Sequence, residues 1–234
     1  LSVDGSSFEV KGDVTNLKNG SNINVELSNK GTDIQHLLGL IPARYKENFA
    51  GADGTGEYQI NASVKGLLSA NTWPDVTVQV LLKNGSIKLS KYNKELQSVN
   101  TNIQFTSNKN GDNRLSIEPF SCKLNNAPFK FSLLLNNLQH PDFKFKADGT
   151  LFLAELRSFI PDTLLQDLEG SIAFNNFELI GNVDDFNRVE GSTLNGMGTF
   201  QLNEIEFRQN GITYGNIGGT LQYSEQIIHA KNFT

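Results

Sequence analysis

The sequence predicts a mainly β protein: two tandem units of antiparallel meander, each interrupted by one short helix that ends in Ile-Pro. Three observations lead there. Apolar residues recur at every second position along most of the 234 residues, the period of strands with one covered face. Short segments rich in Asn and Gly, residues that tolerate positive φ, separate the apolar runs. A stretch near residue 34 recurs about 120 residues later with its flanks in the same order.

Taken in chain order, the runs of the first unit are Phe8/Val10, Ile23/Val25/Leu27, Tyr58/Ile60/Ala62/Val64, Val76/Val78/Val80, Ile87/Leu89, Ile103/Phe105 and Leu115/Ile117. Those of the second are Phe129/Phe131/Leu133/Leu135, Phe143/Phe145, Ile172/Phe174, Phe177/Leu179, Phe200/Leu202, Ile205/Phe207 and Leu221/Tyr223. Each alternates apolar with polar residues, so each is expected to be a strand with one apolar face. Hairpin turns are expected at Lys18-Asn19-Gly20, Lys83-Asn84-Gly85, Asn110-Gly111-Asp112, Asp148-Gly149 and Gln209-Asn210-Gly211.

Two segments break the period, and they are the repeated ones. Asp33 caps a predicted helix with Ile34, Leu37, Leu38 and Ile41 on one face, and Pro42 ends it. In the second unit Leu153, Leu156 and Ile160 form the matching face, and Pro161 ends it. A second helical turn is expected over 44–49 and over 162–168, before Gly51 and Gly170 restart the sheet. The spacing places a first unit at 1–125, with its helix near 33–49, and a second at 126–234, with its helix near 153–168. Repeated units of this kind stack to share one core or surface, which predicts a continuous, elongated scaffold or conduit.

Composition removes several function classes. A net charge of −5 without a Lys/Arg cluster argues against nucleic acid as a partner, since neutralising phosphates needs concentrated positive charge. Cys122 stands alone, so neither an internal disulfide nor a cysteine-based metal site can form. His36, His140 and His229 lack companions at metal-ligand spacing, and Asp184-Asp185 and Asp53-Gly54 lack the alternating oxygen ligands of a calcium loop. The glycines between Gly51 and Gly56, and between Gly191 and Gly198, match no nucleotide-binding pattern and read as hairpin or bulge glycines. No nucleophile elbow accompanies any serine, and a single tryptophan, Trp73, is too few for a carbohydrate platform. No catalytic residue, cofactor or metal is therefore expected, and the chain is not expected to be an enzyme. No window of about 18 apolar residues is present, and the ends read as those of a piece cut from something longer.

Phe129-Lys130-Phe131-Ser132-Leu133, then Asn137-Leu138-Gln139-His140-Pro141-Asp142-Phe143-Lys144-Phe145-Lys146-Ala147, Leu153-Ala154-Glu155-Leu156, Ile160-Pro161 and Leu168-Glu169-Gly170 resemble the AsmA-like family of TamB-related bacterial envelope proteins. The first unit carries the same pattern, so the resemblance spans roughly residues 8 to 233. It implies a half-pipe: a long curved sheet, apolar inside and polar outside, periplasmic and anchored to the inner membrane by a helix this chain lacks. It also implies a part in outer-membrane biogenesis and lipid transport, with phospholipid or another acyl-chain ligand, and further repeats of the same chain, as partners. On that basis Ile60, Val78, Ile103, Phe105, Phe129, Phe131, Leu133, Phe143, Phe145 and Phe200 are the candidates to line a lipid groove. The repeat's structural markers are Leu37, Ile41, Pro42, Gly51, Leu156, Ile160, Pro161 and Gly170.

Without the resemblance, the same stripes read more readily as the dry core of a β-sandwich. A structural or protein-interaction module acting through exposed strand edges is the alternative function.

Overall fold

The structure is a computed structural model described over residues 2–3, 6–29, 31–39, 51–89, 94–124, 126–155, 166–187, 194–224 and 227–234. A two-residue ribbon pairs β1 (Ser2–Val3) with β2 (Ser6–Ser7). The first unit then runs through β3 (Glu9–Leu17), β4 (Gly20–Ser28), β5 (Thr32–Asp33), α1 (Ile34–Gly39), β6 (Asp53–Leu68), β7 (Asp75–Leu89), β8 (Lys94–Ser107) and β9 (Asn113–Leu124). The second runs through β10 (Ala127–Asn136), β11 (Asp142–Phe152), a 3-10 turn (Leu153–Glu155), β12 (Gln166–Asn182), a second 3-10 turn (Val183–Asn187), β13 (Asn195–Gln209), β14 (Ile212–Ser224) and β15 (Ile227–Lys231).

The strands from β3 to β15 pair antiparallel in chain order, except that β4 pairs with β6 and the short β5 adds to β6 alone, so one open sheet of 13 strands contains both units. The element order is similar in the two halves. In the first, β3, β4 and the two-residue β5 precede α1 and the four strands β6 to β9. In the second, β10 and β11 precede a 3-10 turn and the four strands β12 to β15, a second 3-10 turn following β12. The sheet continues from β9 into β10 without a break.

The helical elements sit in matching places. Asp33 accepts a hydrogen bond from the Gln35 amide at 2.9 Å, the expected N-cap of α1. Ile34 then packs on a cluster of Tyr58, Leu82, Val99 and Cys122, one buried residue from each of β6, β7, β8 and β9. Leu153 does the same in the second unit, with Ile172, Leu202 and Ile217 packed around it from β12, β13 and β14. Phe8 in one unit, and Phe143, Ala147, Leu168 and Ile205 in the other, complete the buried apolar residues among those described.

Several local expectations change. Lys83-Asn84-Gly85 is no turn: it lies inside β7, where Asn84 takes a φ of 49° and the register to β8 slips. Asp148-Gly149 likewise lies inside β11, at a register shift against β12. A β-bulge uses the same left-handed conformation as a hairpin, so Asn-Gly alone cannot distinguish them. Residues 166–168 are strand rather than helix, and Gly170 lies within β12 instead of starting it. Gly51 does form the turn before β6, at a φ of 67°. Leu37 falls in α1, while Ile41, Pro42, Leu156, Ile160 and Pro161, with 44–49 and 162–165, lie outside the described residues.

Cys122 is buried, and burial pushes its thiol up to about 11 from an ordinary value near 9. The thiolate is the reactive form, so an upward shift of this size lowers its population near neutrality about a hundredfold. The native protein is expected to react with an aromatic disulfide reagent at least that much more slowly than the denatured protein. Stopped-flow absorbance in buffer and in guanidinium measures the ratio.

Candidate functional site

Residues directly opposite each other in antiparallel strands point to the same face, so the register defines what each face carries. One row runs Val10, Leu27, Ala62, Val78, Phe105, Leu115, Leu135 and Phe143, ending at Gly181. The residues one position away, on the opposite face, are Lys11, Glu26, Ser63, Thr77, Thr106, Arg114, Asn136, Asp142 and Asn182. One face is thus apolar along this row and the other polar, although Leu81, Leu134, Ile180 and Met197 also fall on the polar side.

Parallel rows widen the apolar strip. Ile60, Val80, Ile103, Ile117, Leu133, Phe145 and Leu179 form the second, and Tyr58, Leu82, Thr101, Phe120, Phe131, Ala147 and Phe177 the third. A fourth runs from Cys122 through Phe129, Gly149, Phe174, Phe200 and Leu221 to Ala230, at the other edge. At the usual spacing of about 4.8 Å between strands, the strip is on the order of 50 Å long across the sheet.

Phenylalanines make up its centre. Phe120 stacks on Phe131 with ring centroids 4.5 Å apart, and Phe145 follows at 6.1 Å. Phe177 joins Phe145 at 6.5 Å and meets Phe200 edge-on at 5.7 Å. Phe129 and Phe174 approach to 6.1 Å across Gly149, whose register partners they both are. A side chain at Gly149 would meet the Pro128 carbonyl oxygen at 2.3 Å, and its φ of +109° suits glycine alone. The glycine therefore lets β11 approach the β10 backbone closely at this point.

All ten groove candidates lie on this face. Ile60, Val78, Ile103, Phe105, Phe129, Phe131, Leu133, Phe145 and Phe200 are half-buried, with one side left to solvent. Phe143 is the exception at 6% exposure, closed off as core. Phe120, Phe174 and Phe177 belong to the strip as well. Their phase is hidden in the sequence because bulges next to them, between Thr101 and Ile103 and between Asn175 and Glu178, shift the alternation by one residue.

Among the described residues no second sheet covers the strip. The β1–β2 ribbon, α1 and the Leu153 turn cover only its margin, where the Ser6 hydroxyl bonds to that of Tyr58 and Ile34 and Leu153 cap their clusters. Thr101, between Leu82 and Phe120, is the polar intruder in the rows, and its hydroxyl has no partner among the described residues.

The lysine–glutamate pairs among the described residues lie on the other face. Glu178 accepts hydrogen bonds from Lys146 and Lys144, both at 2.9 Å, and these hold its carboxyl below the ordinary range while raising Lys146. Lys65 pairs with Glu26 at 2.6 Å, which lowers that carboxyl too. These pairs are solvated and add little to stability. His140, between β10 and β11, bonds at 3.0 Å to Asp184 in the 3-10 turn that follows β12. Among the described residues no three His, Cys, Asp or Glu side chains are placed to hold a metal ion, and no helix is long and apolar enough to cross a membrane.

Comparison with family models, with curated proteins and with solved structures gave no match.

Proposed function

We propose that this chain is a non-enzymatic, periplasmic segment of an AsmA-like envelope protein that shields acyl chains along its apolar sheet face. The observation that supports this most is the apolar strip running from Val10 at one edge to Ala230 at the other, mostly half-buried and with no covering sheet among the described residues. A water-exposed apolar strip of this extent is costly to maintain and marks a surface that something apolar covers. Its length of about 50 Å exceeds the roughly 15 Å depth of one leaflet's hydrocarbon, so it suits a path better than a single-ligand pocket.

Each methylene moved from water onto the strip contributes about 0.8 kcal/mol, so an acyl chain can be held without any polar recognition. The headgroup remains in water beyond the rim. Passage along such a surface needs no nucleotide, and its direction comes from the membranes or proteins at its ends. The exposed edge strands support a second reading, a module that pairs with other β-strands.

Purified protein titrated with a fluorescent fatty acid is expected to show saturable binding that unlabelled phospholipid displaces. Solvent extraction followed by mass spectrometry is expected to recover copurified phospholipid. Absence of both saturable probe binding and extractable lipid would overturn the acyl-chain reading.

A further inference from the structure

The two ends of the sheet are complementary, and the chain already contains the junction they would make. Within the molecule, the last strand of the first unit, β9, pairs with the first strand of the second, β10. The strand equivalent to β9 in the second unit is β15, and the strand equivalent to β10 in the first is β3. Both are edges.

Internal registers fix how these edges would meet. At the existing junction Phe105 faces Leu115, which faces Leu135, while Ile103 faces Ile117, which faces Leu133. The matching positions at the open edges are Tyr223 facing Ile228 and Leu221 facing Ala230 on one side, and Val14 and Gly12 on the other. Carrying the register over sets position 228 opposite Val14 and Ala230 opposite Gly12. On the polar face it sets His229 opposite Asp13, an imidazole against a carboxylate.

Neither edge carries a proline or a bulge among the described residues. Strand β3 is nine residues long with every residue exposed, has no proline, and pairs with β4 without a bulge. Val10 and Val14 on its apolar face are 49% and 56% exposed, and Ile227 on β15 is 54% exposed. The charges of β3 lie on its polar face, where Lys11 pairs with Glu9 at 2.8 Å, so they do not interrupt the apolar rows. Natural sheets usually blunt their edges with bulges, prolines or inward charges.

We infer that the β15 edge of one copy of this chain takes the β3 edge of a second copy, in the register that joins β9 to β10, so that the apolar strip continues from copy to copy. The contact is head-to-tail and builds open chains rather than closed dimers. It does not rest on the acyl-chain reading, because the edges can pair whether or not the face holds lipid.

Cysteine pairs test the register. Directly opposed residues lie about 4.5–5.5 Å apart, within the span of a disulfide. The doubly substituted Asp13→Cys/His229→Cys chain, and independently Thr15→Cys/Ile227→Cys, are expected to give a ladder of covalent oligomers under mild diamide oxidation. Glu9→Cys/Ile227→Cys, slipped by six residues or about 20 Å, is the control. All five positions are exposed, Cys122 is buried, and circular dichroism verifies each fold. The in-register pairs are expected to cross-link at least about tenfold more than the control, since only they meet the geometry. Equal yields from all pairs, or monomer only from both in-register pairs, would overturn the inference.

Discussion

Replacing Tyr58 with alanine is expected to destabilise the protein by about 3–5 kcal/mol, the range for deleting a fully buried aromatic side chain. Tyr58 is 1% exposed and touches the cluster that joins α1 to four strands, Ile34, Leu82, Val99 and Cys122 among its members. Its hydroxyl also bonds to that of Ser6, which is itself fully buried and ties the N-terminal ribbon to the sheet. Truncation therefore opens a cavity and leaves a buried hydroxyl without its partner. Tyr58→Phe separates the two effects and is expected to cost about 1–3 kcal/mol, the penalty of an unsatisfied buried polar group. The sheet otherwise has so few fully buried residues that neighbours cannot take over this one's role. Urea denaturation followed by circular dichroism measures both losses. Trp73→Ala, at a residue 71% exposed, is the control expected to change stability by less than about 0.5 kcal/mol.

The contrast between Tyr58 and Trp73 also shows what the sequence makes legible. Alternation such as Tyr58/Ile60/Ala62/Val64 against Val76/Val78/Val80 depends only on the two-residue period of a strand, so it announces both the strand and its apolar face. The repeat is equally legible, because Ile34 and Leu153 each fit a like cluster and stand about 120 residues apart with similar flanks. What the sequence leaves open is how neighbouring strands slip. Asn84-Gly85 and Asp148-Gly149 would serve a hairpin as well as a bulge, and the choice depends on whether the chain beyond them keeps pairing with the same neighbour. Residues 166–168 show the same dependence: Leu168 fits a helical face on spacing alone, and its burial against Leu153 and Ile205 in the sheet decides otherwise. Nor does the pattern reveal that no second sheet covers the apolar face among the described residues. Val78 or Phe145 in a sandwich and in an open half-pipe have the same neighbours in sequence and differ only in what lies above them.

Placing aspartates at Phe131 and Phe145 separates those two situations. Both rings sit at the centre of the strip, 6.1 Å apart, with Phe131 stacked on Phe120 at 4.5 Å. Each is half-buried, so a carboxylate there keeps part of its hydration. The expected stability loss is about 1–3 kcal/mol, mainly the aromatic contacts and apolar area given up. A dry core would respond differently, because an uncompensated buried charge costs several kcal/mol and would unfold a domain of ordinary stability. Val99→Asp supplies that case for comparison, since Val99 is 1% exposed and is expected to abolish folding when charged. On the open face, two carboxylates would leave any acyl chain lying across them in contact with fixed charge and bound water. Fatty-acid affinity is therefore expected to fall at least about tenfold, which corresponds to roughly 1.4 kcal/mol, less than two methylenes' worth of lost contact. Retained circular dichroism with lost probe binding is the result an acyl-chain surface gives. Unchanged affinity in a folded double variant would mean that the probe binds elsewhere, and the strip would then have to be covered by protein.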